Sequence, residues 1–170
     1  MPVLIGGRRP VKAKIKRVRK LGSGKEGTAY EVEAELRSGG KRRKITLVEK
    51  VFHPFKKYKT FGNPKEQFRI MNEISELNRR ENLGLHIPNT IRLRRRWFRK
   101  PALISSKFER IRVLEGKQIT DYFEDALREL EILRKKGYSA GPDAFMPVLD
   151  KESGKAIAVI FDFGLISKIQ

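Results

Sequence analysis

The chain has 170 residues, with 39 Lys/Arg against 20 Asp/Glu for a net charge of +19, 39% apolar residues, two His and no Cys. This length fits one domain or two small lobes. The lack of Cys excludes disulfides, thiolate zinc sites and a Cys nucleophile and fits a reducing cytoplasm, while His53 and His86 are too few for a His-based metal site. No apolar run approaches the roughly 18 residues of a membrane span, and Val3-Leu4-Ile5, followed by Gly and Arg, is no signal peptide.

Residues 1–11 read as an irregular basic arm, broken by Gly6-Gly7 and Pro10 and carrying Arg8 and Arg9. Residues 12–20 read as an imperfect strand, with Ala13, Ile15 and Val18 among Lys and Arg. Residues 28–36 alternate cleanly: Tyr30, Val32, Ala34 and Leu36 share one face, and Glu31, Glu33 and Glu35 the other. Ser38-Gly39-Gly40 predicts a hairpin turn into a third strand over 44–52. A basic loop with Pro54 and Pro64 follows. The spacing of Phe68, Met71, Ile74 and Leu77 then predicts a helix over 65–82, ended by Gly84 and Pro88. Residues 90–97 and 102–108 read as two more strands. Thr120 is the expected N-cap of a helix to residue 136, with Tyr122, Ala126, Leu130 and Leu133 as its stripe and Gly137 as its stop. Residues 148–149 and 157–161 predict a short hairpin around Ser153-Gly154. The class is α+β.

Four features in this order point to nucleotide chemistry. Gly22, Gly24 and Gly27, with Lys25 and Glu26 between them, lie between two strands. Glycine there lets a backbone approach phosphates closely and adopt positive φ. Dinucleotide folds use a similar glycine pattern but follow it with a helix, whereas here a strand follows. Lys50 lies on the third strand and shares a face with Val48, placed to reach phosphates beneath such a loop. Glu73 lies on the next helix as a carboxylate able to pair with Lys50, with Glu76 as its competitor. Asp162-Phe163-Gly164 follows an apolar strand, with Asp162 as the candidate magnesium ligand.

Together these motifs resemble the RIO kinases and the small archaeal kinases of the tRNA-modifying KEOPS complex. The resemblance rests on Gly24-Lys25-Glu26, on Leu83-Gly84-Leu85-His86-Ile87-Pro88, on Lys50 and on Asp162-Phe163-Gly164, and it covers roughly residues 15–166. It implies a protein-kinase-like fold: a five-stranded N-lobe sheet with one helix over 12–111, then a minimal C-lobe of one helix and a short β-hairpin over 112–170. It implies ATP and Mg as cofactors, and a hinge, Phe108-Glu109-Arg110-Ile111, whose Glu109 and Ile111 would hold adenine. Departures matter as much. Where the family pattern has His-x-Asp and then Asn, this chain has Ala140, Pro142 and Pro147. One inserted residue brings Asp143 to the Asp position and Val148 to the Asn position. Neither register supplies the Asn, and Asp143 reads equally as a turn residue after Gly141-Pro142. Only six residues follow Gly164, so the C-lobe reads as a remnant.

The charge is lopsided. Residues 1–100 hold 28 Lys/Arg and nine Asp/Glu, while residues 101–170 hold 11 of each. Four groups of cations stand out: Arg8, Arg9, Lys12, Lys14, Lys16, Arg17, Arg19 and Lys20; Arg42 and Arg43 between Lys41 and Lys44; Lys56, Lys57 and Lys59; and Arg92, Arg94, Arg95, Arg96, Arg99 and Lys100 around Trp97 and Phe98. Such runs give salt-sensitive affinity for nucleic-acid phosphates, and the two aromatics read as packing residues covered by Arg stems. Three functional readings follow: a kinase-like protein with a degenerate catalytic loop that binds RNA or a ribonucleoprotein such as the ribosome; an active minimal kinase or ATPase using Lys50, Glu73, Asp162 and Asp143; and a pseudokinase scaffold for a protein partner at its reduced C-lobe.

Overall fold

The computed structural model describes residues 2–3, 11–38, 41–53, 64–88, 90–96 and 99–169. The chain is α+β and forms two compact units. The first is Met1–Lys65 with Asn89–Lys107, and the second is Glu66–Pro88 with Phe108–Gln170.

The first unit is an antiparallel sheet of β1 (Pro2–Val3), β2 (Val11–Ser23), β3 (Gly27–Ser38), β4 (Lys41–Phe52), β5 (Thr90–Arg96) and β6 (Arg99–Ser106), in the order β1-β2-β3-β4-β6-β5. It has six strands where five were expected, because Pro2 and Val3 pair with Lys12 and Val11. The imperfect alternation of β2 has a physical cause. Register shifts between Arg17 and Arg19 and between Lys20 and Gly22 leave Val18 and Leu21 without cross-strand partners, and both are exposed. The clean alternation of β3 holds. Val32 and Ala34 are fully buried with Leu47 and Ile104, and Ile15, Tyr30 and Ile45 pack against them. Each large side chain so buried contributes about 1.5–3 kcal/mol. The expected turn at Gly39-Gly40 and most of the basic loop before Pro64 lie outside the described residues.

In the second unit, α1 (Pro64–Glu81) starts on a proline, whose missing N–H costs nothing at the first helical position. Its buried residues are Pro64, Gln67, Ile70, Met71 and Ile74, with Phe68 and Leu77 half-buried at the margins. The expected stripe at a spacing of three drifts off a helix of 3.6 residues per turn, so Ile70 takes the place given to Phe68. Asn82, at φ 50°, ends the helix. Asn78 then ties down the exit, donating to the Leu85 carbonyl at 2.9 Å and accepting from its N–H at 3.0 Å.

Helix α2 (Lys117–Lys135) starts three residues before the expected Thr120. Gly116 takes φ 49° there, and the Gln118 side chain accepts from the Glu115 N–H at 3.4 Å, so Thr120 falls inside the first turn and caps nothing. Gly137, at φ 79°, stops the helix as expected. Strands β8 (Phe145–Leu149) and β9 (Ala156–Ile160) form the expected hairpin, nucleated by Asp150, which accepts from the backbone of Glu152 and Ser153. A second antiparallel pair, β7 (Tyr138–Ala140) with β10 (Ile166–Lys168), extends what was expected of this region. Both strands are three residues long, too short to show a period.

Candidate functional site

The glycine hairpin joins β2 to β3. Gly22 pairs with Ala29, and Lys25 is exposed at the tip. None of Gly22, Gly24 and Gly27 adopts positive φ, so the freedom expected of them is not what they supply. Their requirements differ. A Cβ on Gly27 would lie 2.4 Å from the Val51 carbonyl oxygen, so the β3–β4 pairing itself demands glycine there. A Cβ on Gly22 or Gly24 meets nothing within 4 Å. Among the described residues, packing leaves the space at those two Cβ positions open.

The hairpin closes on β4. The Gly24 N–H donates to the Gly27 carbonyl at 2.9 Å, and the His53 N–H donates to the Glu26 carbonyl at 2.8 Å. His53 Nε2 lies 3.2 Å from the Gly24 carbonyl oxygen, and Ser23 and Thr28 share a hydroxyl bond of 2.9 Å. Lys50, opposite Ala29 and Leu103, is mostly buried beside half-buried Val48 on the same strand face. Its ammonium sits 2.5 Å from Glu26 Oε2 and 5.3 Å from the Phe52 ring centre. Glu26, unremarked in the sequence beyond its place in the loop, is therefore an ionic partner of Lys50. The other face of β4 carries Glu49, 1% exposed beside Leu47. Arg17 Nε donates to it at 2.6 Å, and the guanidinium covers the Tyr30 ring at 4.4 Å. Period-two reading from Leu47 would have shown that buried carboxylate.

Glu73 belongs to the second unit, where Lys168 Nζ lies 3.0 Å from its carboxylate, the Tyr138 hydroxyl donates to it at 3.2 Å and Arg69 also binds it. Burial pushes its carboxyl up, but the hydrogen bonds from Lys168 and Arg69 outweigh this and hold it below the usual range. The same burial, with Glu73 alongside, raises the Tyr138 phenol. Glu73, Glu76, Arg80, Lys136, Tyr138 and Lys168 line an open groove of about 700 Å³.

Two single-turn 3₁₀ helices lie side by side in this unit, Pro142–Ala144 and Phe163–Leu165. The Ala144 carbonyl accepts from the N–H groups of Phe161 (2.9 Å) and Asp162 (3.2 Å), and the Leu165 carbonyl accepts from Gly141 (3.2 Å). Asp162 is half-buried, with Oδ1 accepting from the Gly164 N–H at 3.2 Å, and Phe163 is buried. Asp143 is exposed on its turn. Pro147 sits mid-strand on β8, where its carbonyl accepts from Ile111 at 2.9 Å. Arg110 bridges to Val148, Ile111 is half-buried, and Glu109 forms an exposed pair with Lys151.

A third cluster escaped sequence reading because its members come from two separated segments. His86 Nδ1 lies 2.9 Å from Glu129 Oε1 and 3.1 Å from Asp125 Oδ2, and the His86 N–H donates to Glu129 at 2.7 Å. Asp125 also accepts from Ala158 of β9 and pairs with Arg128. Glu129 is fully buried, and its Oε2 has no hydrogen-bond partner among the described residues. The hydrogen bond to Glu129 holds the imidazole above its ordinary pKa, and burial raises Glu129. These three residues offer ligand atoms within 4.8 Å of one another. Arg128, 2.7 Å from Asp125, already supplies positive charge there, so the cluster reads as a fastening of residues 83–88 to α2.

Among the basic residues, Arg8 and Arg9 lie outside the described residues, as do the side chains of Lys12, Lys14, Arg92, Arg94, Arg95, Arg96, Arg99 and Lys100. Trp97 and Phe98 lie outside them too. The β5–β6 register shifts between Thr90 and Arg92, where the extra residue is on β5, and between Arg94 and Arg96, where it is on β6. Arg19 and Lys107 pair with Glu31, and Arg42 with Glu35. Lys16, Lys20, Lys25, Arg43 and Lys44 are exposed and have no acidic partner among the described residues. Comparison with protein families and with curated proteins finds no match to this chain. No helix is long and apolar enough to cross a membrane among the described residues.

Proposed function

We propose that the chain is a kinase-like nucleotide-binding protein, poorly equipped for phosphoryl transfer, whose basic unit contacts RNA or a ribonucleoprotein such as the ribosome. One observation carries the reading. The first unit holds 26 Lys/Arg against five Asp/Glu, a net of +21, on strands where several cations stand exposed and without acidic partners among the described residues. Such a surface binds polyanions through counterion release. The nucleotide part is supported by the open space over Gly22 and Gly24 and by Lys50 on the adjoining strand pair. In this reading Gly22–Gly27 and Lys50 of the first unit would hold the phosphates of ATP. Bound Mg·ATP would bring a transferable phosphoryl group. Pro147 and Val148, on β8, offer no side-chain ligand for a second metal.

The RNA part is tested by titrating a labelled single-stranded RNA of about 20 nucleotides and repeating the titration across about 50 to 300 mM salt. Micromolar or tighter binding that weakens steeply with salt is expected. No binding at low salt, or binding indifferent to salt, overturns it. The nucleotide part is tested by melting with and without millimolar Mg·ATP, since binding to the folded state raises the melting temperature.

Two other readings each have one observation in their favour. The Ala144 carbonyl joins the Asp143 turn to Asp162, which favours an active minimal kinase or ATPase. Turnover abolished by both Asp162→Ala and Asp143→Ala would establish it, and equal background in all three proteins would reject it. The exposed side chains of Ile119, Phe123 and Leu127, one turn apart on α2, favour a scaffold that docks a protein.

A further inference from the structure

We infer that Glu26 is a built-in competitor of phosphate for Lys50, so that polyphosphate affinity at the glycine hairpin is set by which anion holds that ammonium. This inference rests on the nucleotide-binding reading above and deepens it.

Glu26 lies inside the glycine segment, between Gly24 and Gly27, yet it is only 8% exposed. Its backbone and its carboxylate are both held. The carbonyl accepts from His53 at 2.8 Å, and Oε2 lies 2.5 Å from Lys50 Nζ. The hairpin thus brings its own anion to the cation that a phosphate chain would seek. The loop is also cross-braced by Gly24 to Gly27, by His53 to Gly24 and by Ser23 to Thr28, which fixes the carboxylate in place. A Lys ammonium has three donors on a compact charge, and it can serve two anions only if they accept their mutual repulsion. Two like charges about 4 Å apart near a protein surface repel by several kcal/mol before screening. A phosphate over Gly22 and Gly24 must therefore either displace the carboxylate or bind beside it at reduced affinity. Neutralising Glu26 without changing its shape removes that opposition.

The ligand class is a nucleoside triphosphate or another linear polyphosphate. The experiment uses the full chain as wild type, Glu26→Gln, Glu26→Ala and Lys50→Met, with calorimetric titration of Mg·ATP, Mg-free ATP and inorganic tripolyphosphate. Melting temperatures check that each variant folds, and the two Glu26 variants serve as independent routes to the same neutralisation. About a tenfold lower Kd is expected in Glu26→Gln, with the largest gain for the metal-free ligands, which carry the most negative charge. Lys50→Met is expected to lose binding to all three. Unchanged or weaker binding in both Glu26 variants, while wild type binds, overturns the competition and leaves the nucleotide reading standing. A loss confined to Mg·ATP would make Glu26 a metal ligand, and it also overturns the competition. Absence of binding in wild type and in both Glu26 variants overturns both. Binding that survives Lys50→Met shows that the ammonium is not the contested group and overturns the inference.

Discussion

The two units manage charge in opposite ways. The first carries 26 Lys/Arg and five Asp/Glu; the second carries 13 and 15. In the second unit many charges neutralise one another over short distances along helices, as Arg69 does with Glu66 and Glu73, Arg79 with Glu76, Arg128 with Asp125 and Lys135 with Glu131, and others pair across the unit, as Lys168 does with Glu73 and Lys136 with Glu81. In the first, acids face bases across strands, as in Arg19–Glu31 and Arg42–Glu35, and the acids run out. A helix can carry its own counterions at i+3 and i+4. A sheet whose third strand supplies three glutamates between two lysine- and arginine-rich strands cannot. The unmatched cations are a cost in self-repulsion that an external polyanion would relieve.

The same contrast orders the substitutions by expected effect. The first unit depends on a few long-range fits, so single changes there are severe. Gly27→Ala drives a Cβ to 2.4 Å from a backbone oxygen of β4 and is expected to destabilise by about 3 kcal/mol in a denaturant melt. Gly24→Ala, which meets nothing, is expected to be near neutral. Equal effects would show that the hairpin relaxes around its third glycine. Next comes Arg17→Met, which leaves Glu49 buried without its 2.6 Å partner. Because Arg17 is itself half exposed, water moderates the loss, and about 2 kcal/mol is expected by chemical denaturation.

One long-range fastening of the second unit is the His86 cluster, and its signature is pH. Glu129 and Asp125 raise the folded pKa of His86 above its ordinary 6.5. The folded chain therefore holds that proton more tightly than the unfolded chain does. The stabilisation is fully present below about pH 6.5 and is lost as pH rises through the folded value. Raised Glu129 acts in the same direction. His86→Gln is expected to cost about 1 kcal/mol at pH 6 and progressively less towards pH 9. A constant difference across that range would show that the imidazole is not charged between its carboxylates.

How much of this was legible in the sequence follows from periodicity. β3 is readable because Tyr30, Val32 and Ala34 alternate with three glutamates, and α2 because its stripe fits 3.6 residues per turn. β2 is blurred by its two bulges, which reset the phase at Val18 and Leu21. The β7–β10 pair is too short to declare itself. At the candidate site, the glycine hairpin and Lys50 are legible because each lies within one local stretch of chain. Glu26 was passed over as one more loop residue, because nothing in its spacing announces that its carboxylate turns inward to Lys50. His86, Asp125 and Glu129 were missed because no pattern joins residues 39 and 43 positions apart.

The smallest expected effect on stability is also the sharpest test of the contrast between units. Arg43→Ala with Lys44→Ala removes two exposed cations of β4 that have no acidic partner among the described residues. Arg134→Ala with Lys135→Ala removes two exposed cations of α2, one of them paired with Glu131. Both double variants lower the net charge by two and leave the cores untouched, so neither should shift the melting temperature appreciably. If the basic sheet is the RNA-binding surface, they separate in RNA titrations. The β4 variant is expected to reduce the slope of log affinity against log salt by about 1.5, the α2 variant to leave it unchanged. If affinity followed net charge alone, the two variants would weaken binding equally, and the distribution of charge between the units would carry no functional meaning.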